Sequence, residues 1–373
     1  MIDPRIDKLA DVLVNYSVAV KPGDTVYISG ETLAEPLLEA VFRKTLEAGG
    51  HPWLQAVLPR QAELLLRHAS DQQLEYVHEP YRLLVNTFDA SIYLNASANT
   101  KALSNLDPRK LVLHRQARSE ISRIVAERTA RGDFRWTLTI YPTDAFAQDA
   151  EMSLAEYADF CFGACLPDLD DPVGYWRRFS SWQQQIVDWL KGKEQVRIVG
   201  PDTDLSLSVA GRTFINADGR FNMPDGEVFT GPVEDSVNGH VSFSYPAIHG
   251  GREVTGVRLF FDQGRVVQAN AQKNQDYLFQ MLDADDGARY VGEFAIGTNQ
   301  GITRFTRQIL FDEKIGGSFH LALGQGYPET GSQNTSAIHW DMICDLRDGG
   351  EIWVDGELLY RNGRFVIQLQ SAG

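Results

Sequence analysis

The pattern of apolar residues changes once along this chain, near Lys191, and that change bounds what the chain can fold into. Upstream of it, strand-like and helix-like segments alternate. "KPGDTVYISG" is a turn followed by a β-rich run, "AEPLLEAVFRKTLEAGG" has apolar residues at helical spacing and stops in glycines, and "HPWLQAV" is apolar again. This alternation is the signature of a βαβ unit, in which a helix returns the chain so that consecutive strands lie parallel. "RLLVNTFDASIYLNA" and "KLVLHRQARSEISRIVAERTARGDFRWTLTIYP" repeat the theme, and the amphipathic "GYWRRFSSWQQQIVDWLKGK" predicts a long closing helix. Downstream, from "EQVRIVGPDTDLSLSVAGRTFINADG" onward, short alternating strands are separated by Asp-Gly, Asn-Gly and Gly-Gly turns. The expected fold class is α/β. An N-terminal α/β domain with a mostly parallel sheet is expected over residues 1–190, followed by a β-rich, mixed α+β domain over 191–373. A chain of 373 residues, 43 % of them hydrophobic, has material for two cores.

The charge balance excludes some partners. A formal net charge of −15, with no cluster of Lys and Arg, argues against nucleic acid and against an anionic membrane surface. The start, "MIDPRIDKLADVLVNYSV", carries acids and lacks the basic region and continuous apolar stretch of a signal peptide, so a cytoplasmic location is expected. Cys161, Cys165 and Cys344 are too few and too scattered for a disulfide framework and read as reduced thiols in apolar surroundings.

The residues that carry chemistry fall in the β-rich half. Glu227 follows Pro224-Asp225-Gly226, a turn sequence that puts it at the mouth of the next strand. By itself it also reads as a solvated surface carboxylate. Glu293, in "ARYVGEFAIGTN", is expected to share a strand face with Val291 and Ala295, where a carboxylate needs a counter-charge; a structural ion pair satisfies that need as well as a metal does. Gly292, Gly297 and Asn299 around it suggest a strand end with close backbone approach. His320 lies in the apolar strand "FHLALG", Tyr327 follows the glycine-rich turn after it, and a lone histidine there equally suits a hydrogen-bonded core. In "SAIHWDMICD", His339 and Asp341 are two apart, so a strand presents both on one face while Trp340 and Met342 point to the other. The remaining histidines form no such grouping; His240 and His249 are expected in loops flanking "VSFSYPAI".

Taken together, Glu227, Glu293, His320, His339 and Asp341 are three carboxylates and two imidazoles in one β-rich domain. That is a ligand set for two divalent cations, in which carboxylates can be shared and imidazoles favour Zn, Co, Mn or Fe over Mg or Ca. The domain is therefore read as a metal-binding domain. No His-Glu-x-x-His helix, cysteine cluster, phosphate-binding glycine loop or Gly-x-Ser-x-Gly elbow competes with this reading.

The segments "NMPDGEVFTGP", "YVGEFAIGTN", "DEKIGGSFHLALGQGYP" and "IHWDMI", in that order, with "FRWTLTIYPT" upstream, resemble the metalloaminopeptidases of peptidase family M29. The resemblance implies a homodimeric two-domain exopeptidase with a dinuclear centre of Zn, Co or Mn that removes amino acids from the N-terminus of small peptides. It implies metal-ligand positions at Glu227, Glu293, His320, His339 and Asp341, a catalytic tyrosine at Tyr327, and a further acidic position at Glu313. Two departures accompany it. "DEKIGGSFH" is longer between Glu and His than the family's "DENAACH"-like form, and "PETGSQNTSAI" between Tyr327 and His339 is shorter. Some proteins similar to this family are non-haem iron dioxygenases that open a dihydroxypyridine ring, a chemistry needing two histidines and one carboxylate. In the peptidase reading Glu293 is the shared carboxylate, with a part in proton transfer, and Tyr327 donates a hydrogen bond to the developing oxyanion or the leaving amine.

Overall fold

The computed structural model describes residues 3–370. Its contacts divide the chain into two compact units, Met1–Arg177 with Gly219–Pro224, and Arg178–Asp218 with Asp225–Gly373.

In the first unit, strands β1 (Thr25–Glu31), β2 (His51–Val57), β3 (Ala90–Asn95) and β4 (Arg135–Ile140) form a sheet in the order β2-β1-β3-β4, closed by the short strand Asn222–Met223. All its pairings are parallel, as the βαβ pattern requires. The helix Glu35–Glu47 joins β1 to β2; Pro36 starts it, and it buries Leu37, Leu38 and Val41. Central strands β1 and β3 bury Val26, Ile28, Ile92 and Leu94, whereas the edge strand β2 leaves Trp53 and Leu54 exposed.

The second unit is β-rich. An eight-stranded antiparallel sheet runs from Arg265–Asn270 at one edge to Arg364–Phe365 at the other. A five-stranded sheet contains β5 (Glu227–Thr230), β6 (Val291–Gly297), β7 (Ser318–Gly324) and β8 (His339–Asp345), in the order β8-β7-β6-β5 with Ile215–Ala217 outermost. One core unites the two sheets: Val196, Ile198, Leu205, Ile352 and Val354 from the first meet Phe294, Ile296, Phe319, Leu321, Trp340 and Met342 from the second. Alternation along the strands leaves the opposite face of β5 to β8 for other residues.

The division between the units falls within the long helix Pro172–Leu190, between Arg177 and Arg178, rather than at its end as expected from sequence. Its later residues Ile186 and Leu190 belong to the core of the second unit, which draws that part of the helix with it. The return of Gly219–Pro224 to the parallel sheet was not legible in the β-rich pattern around it. His240 and His249, expected in loops, lie in the strands Asn238–Ser242 and Ala247–His249, where each pairs with a neighbouring strand, His240 opposite Phe260 and His249 opposite Arg252. The three cysteines are free and buried, and burial pushes their thiols up, Cys344 to about 11. No helix among the described residues is long and apolar enough to cross a membrane.

Candidate metal centre

Strand register assembles the candidate residues. Glu293 of β6 lies opposite Ala322 of β7, which lies opposite Asp341 of β8, so the two carboxylates stand level on strands separated by one alanine. One step along, Ala295 lies opposite His320, and Gly297 lies opposite Glu227, the first residue of β5. His339 opens β8 opposite Gly324. All these side chains belong to the face turned away from the hydrophobic core.

Val291 is the exception to the sequence reading. It was expected on the face of Glu293, but it packs in the core with Phe294 and Ile296. A β-bulge between Val291 and Glu293 shifts the register and reverses the face. Gly292 permits it, since a Cβ there would stand 2.2 Å from the carbonyl oxygen of Gly324. Gly297 is equally constrained, 2.2 Å from the oxygen of Ile315, so the expected close backbone approach is present at both glycines.

Two groups of potential ligand atoms result, Glu227 with Glu293 and His320, and Glu293 with His339 and Asp341; within each the atoms lie within 4.8 Å of one another. Glu293 belongs to both. Its Oε1 is 3.7 Å from His320 Nε2 and its Oε2 is 3.3 Å from His339 Nε2. His320 Nε2 also lies 3.7 Å from Glu227 and 3.9 Å from Asp341, and His339 Nε2 lies 3.4 Å from Asp341.

The imidazoles are oriented from behind. His320 Nδ1 is 2.9 Å from the carbonyl oxygen of Glu313, and His339 Nδ1 is 2.7 Å from that of Gln325. A carbonyl oxygen only accepts, so each Nδ1 carries the proton and each Nε2 faces the carboxylates. This is the arrangement by which a neutral histidine is held ready to ligate a cation.

Protonation states follow from the crowding. Burial opposes charge on both histidines, but the carboxylates prevail and raise His320 to about 9 and His339 to about 12. Burial also opposes ionisation of Glu293 and Asp341, yet the imidazoles hold both below the usual carboxylate range. Glu227 differs: burial pushes it well above that range despite the pull of Lys314. Oε2 of Glu227 and Oδ1 of Asp341 are buried with no hydrogen-bond partner. Such orphaned carboxylate oxygens, beside Nε2 atoms turned toward them by the backbone bonds and open to a cation that displaces their protons, fit a divalent cation.

Tyr327 closes one side. The residue is 40 % exposed, and its ring lies 5.3 Å from the His339 ring and 5.4 Å from that of Phe229 between centroids. Desolvation first, then the field of Glu293, Asp341, Glu313 and Glu227, raises its pKa, so it is a hydrogen-bond donor at neutral pH.

The sequence profile of the family described as "Thermophilic metalloprotease (M29)" matches residues 2–365. The chain belongs to this family. Proteins similar to it include Aminopeptidase 2 of Geobacillus stearothermophilus, 28 % identical over 98 % of this chain and 99 % of that protein, and Aminopeptidase T of Thermus thermophilus, 23 % identical over 97 % and 98 %. The solved structure of wild-type AmpT from Thermus thermophilus superposes with a TM-score of 0.84 at 23 % identity, covering 98 % of this chain and 99 % of that one. The 2,5-dihydroxypyridine dioxygenase of Pseudomonas putida shares the fold more loosely, with a TM-score of 0.61 at 10 % identity over 99 % of each chain.

Two residues of this M29 chain escaped sequence reasoning. Lys314 is fully buried, with Nζ 3.8 Å from Glu227 Oε1 and 4.0 Å from Asp225, and it forms an ion pair with Glu313. Burial disfavours its charge, but these carboxylates raise its pKa and keep it cationic. Glu313 therefore stands outside both groups: its carboxylate pairs with Lys314, and its carbonyl oxygen accepts from His320. Gln183, on the long helix, is also fully buried; its Nε2 donates to the carbonyl oxygens of Ala217 and Glu227, and its Oε1 accepts from Thr298. It anchors the start of β5. A lysine beside a glutamate and a glutamine in an amphipathic helix read as surface residues, and no local signal marks either as buried.

Proposed function

We propose that this M29 metalloprotease is an aminopeptidase that hydrolyses the N-terminal peptide bond of small peptides at a centre of two divalent cations, Zn, Co or Mn. The observation that carries the reading is Glu293, whose two oxygens face two different histidines, so that one carboxylate serves both groups. Glu227 and His320 would complete one cation's set, and His339 and Asp341 the other's. Cations bound there would supply Lewis acidity to polarise a carbonyl and activate a water at neutral pH.

The chain's own residues supply the rest. The carbonyl oxygens of Glu313 and Gln325 hold the imidazoles with Nε2 forward. Tyr327, protonated at neutral pH, donates a hydrogen bond to the oxyanion that develops at the scissile carbonyl or to the departing amine. The carboxylates attract the cationic α-amino group of a peptide, and the net charge of −15 favours such substrates over anionic ones.

A mononuclear iron dioxygenase would use two histidines and one carboxylate. The presence of Glu227 and Glu293 together with Asp341 favours two cations. We further propose that the enzyme works in the cytoplasm as a homodimer. The exposed apolar side chains of Trp53 and Leu54 on the edge strand β2 support self-association.

Metal analysis of the purified protein, with a Leu-p-nitroanilide assay with and without added cobalt, zinc or manganese, tests the reading. Two ions per chain and metal-stimulated release of p-nitroaniline are expected. One iron per chain, with oxygen uptake on a dihydroxylated pyridine ring, would overturn it.

A further inference from the structure

A parallel sheet covered by helices on both faces is ordinarily lined by Val, Ile and Leu. In the first unit one face of the sheet follows that rule. Val26, Ile28, Ile92 and Leu94 are buried on it, and the helix Glu35–Glu47 packs there with Leu38 beside Gly30. The other face does not. Register sets Ser29 of β1 between Gln55 of β2 and Tyr93 of β3, and Tyr27 between Trp53 and Ser91. The hydroxyl of Tyr27 donates to Oε1 of Gln55. The helix Glu79–Thr87 covers this face through Leu84 and Val85, and beside that contact lies a cavity of about 640 Å³ bounded by Tyr27, Ser29, Trp53, Gln55, Tyr81 and Tyr93.

The place is one where a ligand can reach the sheet. β2 lies on one side of β1 and β3 on the other, and the helices that precede β2 and β3 pack on opposite faces. That reversal opens a crevice toward the carboxyl ends of the strands, where open α/β sheets take their ligands. The lining chooses the ligand. It contains no Asp or Glu, but it contains Arg118, whose guanidinium donates to the carbonyl oxygens of His114 at 3.1 Å and Leu74 at 3.5 Å and has no carboxylate partner among the described residues. In a chain of net charge −15, that leaves a partly buried positive charge uncompensated. Burial disfavours the charge, and a bound anion would offset that cost.

We propose that this crevice binds a small aryl carboxylate, its ring among the side chains of Tyr27, Trp53, Tyr81 and Tyr93 and its carboxylate on Arg118. The aromatic walls are already gathered, with the Tyr27 ring 5.5 Å from that of Trp53 and 6.1 Å from that of Tyr93 between centroids. A guanidinium offers a carboxylate two parallel N–H donors, and Ser29 and Gln55 offer hydrogen bonds to a polar ring substituent. A cationic amine would meet Arg118 and no acid, so this ligand differs in kind from the peptide N-terminus proposed for the metal centre. The crevice lies within the first unit and is independent of the two-cation reading.

The test is calorimetric titration of the full chain with 4-hydroxyphenylacetate, its neutral amide and tyramine, which share a ring and differ in charge, with zinc present and again with excess chelator. The acid should bind equally in both media, the amide at least about tenfold more weakly, and tyramine not at all. Arg118→Gln, which keeps donors for the carbonyl oxygens of His114 and Leu74, should weaken the acid at least about tenfold. Trp53→Ala removes a wall at an exposed position and should also weaken it, with circular dichroism confirming that both variants are folded. Absence of binding at millimolar acid, equal binding of all three compounds, or a folded Arg118→Gln variant with wild-type affinity overturns the proposal. Binding that vanishes with chelator places the acid on metal instead and overturns it too.

Discussion

Glu293 and Asp341 stand level on the outer strands of a three-strand strip, with the methyl group of Ala322 as the single side chain between them. Two carboxylates so placed, Glu293 buried and Asp341 partly buried, repel each other unless positive charge is shared between them, which the imidazoles of His320 and His339 begin to supply. The size of residue 322 therefore matters as much as its polarity. Ala322→Leu should crowd the gap, lower metal content after dialysis and reduce thermal stability by about 1–3 kcal/mol, whereas Ala322→Ser should retain metal. Metal analysis and thermal melts of the two variants compare these outcomes.

His339 and Asp341 come from one strand and act as a pair. His339→Ala or Asp341→Ala should cost the protein an ion and lower kcat/KM by about a thousandfold, with the circular dichroism spectrum unchanged. His339 lies at the margin of the sheet and Asp341 faces away from the core, so neither change opens a cavity in it. A variant with full metal content and full turnover would show that the residue is no ligand.

Tyr327 stands beside the candidate ligands without belonging to either group. Tyr327→Phe keeps the ring contacts with His339 and Phe229 and removes the hydroxyl. Loss of one donor to a developing oxyanion lowers kcat by about 10²–10³, with KM and bound metal close to wild type. A fall in metal content of the same size as the fall in kcat would instead make the tyrosine a support for the site.

The metal-free protein should lose stability as pH rises. His320 and His339 have folded-state values raised to about 9 and about 12, above the value near 6.5 of an unfolded histidine. Between those limits the folded chain binds more protons than the unfolded one, so the stabilisation is complete below about pH 6.5 and is lost as pH climbs through about 9 and then about 12. A cation must displace those same protons, so its apparent affinity should rise over the same interval. Urea unfolding of the metal-free chain at pH 6, 7, 8 and 9, with and without zinc, reads both trends. A metal-free stability that increases with pH would contradict the assignment.

Much of the fold was open to reading from local pattern. The βαβ segments around Thr25–Val57 became parallel strands, because apolar spacing reports which period buries a segment and a helix between strands dictates their direction. His339 and Asp341 could be paired for a similar reason: side chains two apart on a strand share a face whatever the strand packs against. Val291 marks the limit of that rule. A single extra residue at Gly292 reversed the face, and a bulge is set by the neighbouring strand's backbone, which the local sequence does not contain.

What the sequence by itself determined is therefore the chemistry and the class: which residue types could hold cations, that they lie in a β-rich half, and that the chain resembles M29 enzymes. Only the tertiary structure decided how they combine. Register across β5 to β8 made Glu293 common to two groups, the carbonyl oxygens of Glu313 and Gln325 aimed the histidines, and burial turned Lys314 into the partner of Glu313. Each of these depends on atoms distant in sequence brought within a few ångströms. Coulomb and hydrogen-bond energies depend on that separation and on exclusion of water, neither of which a local pattern records.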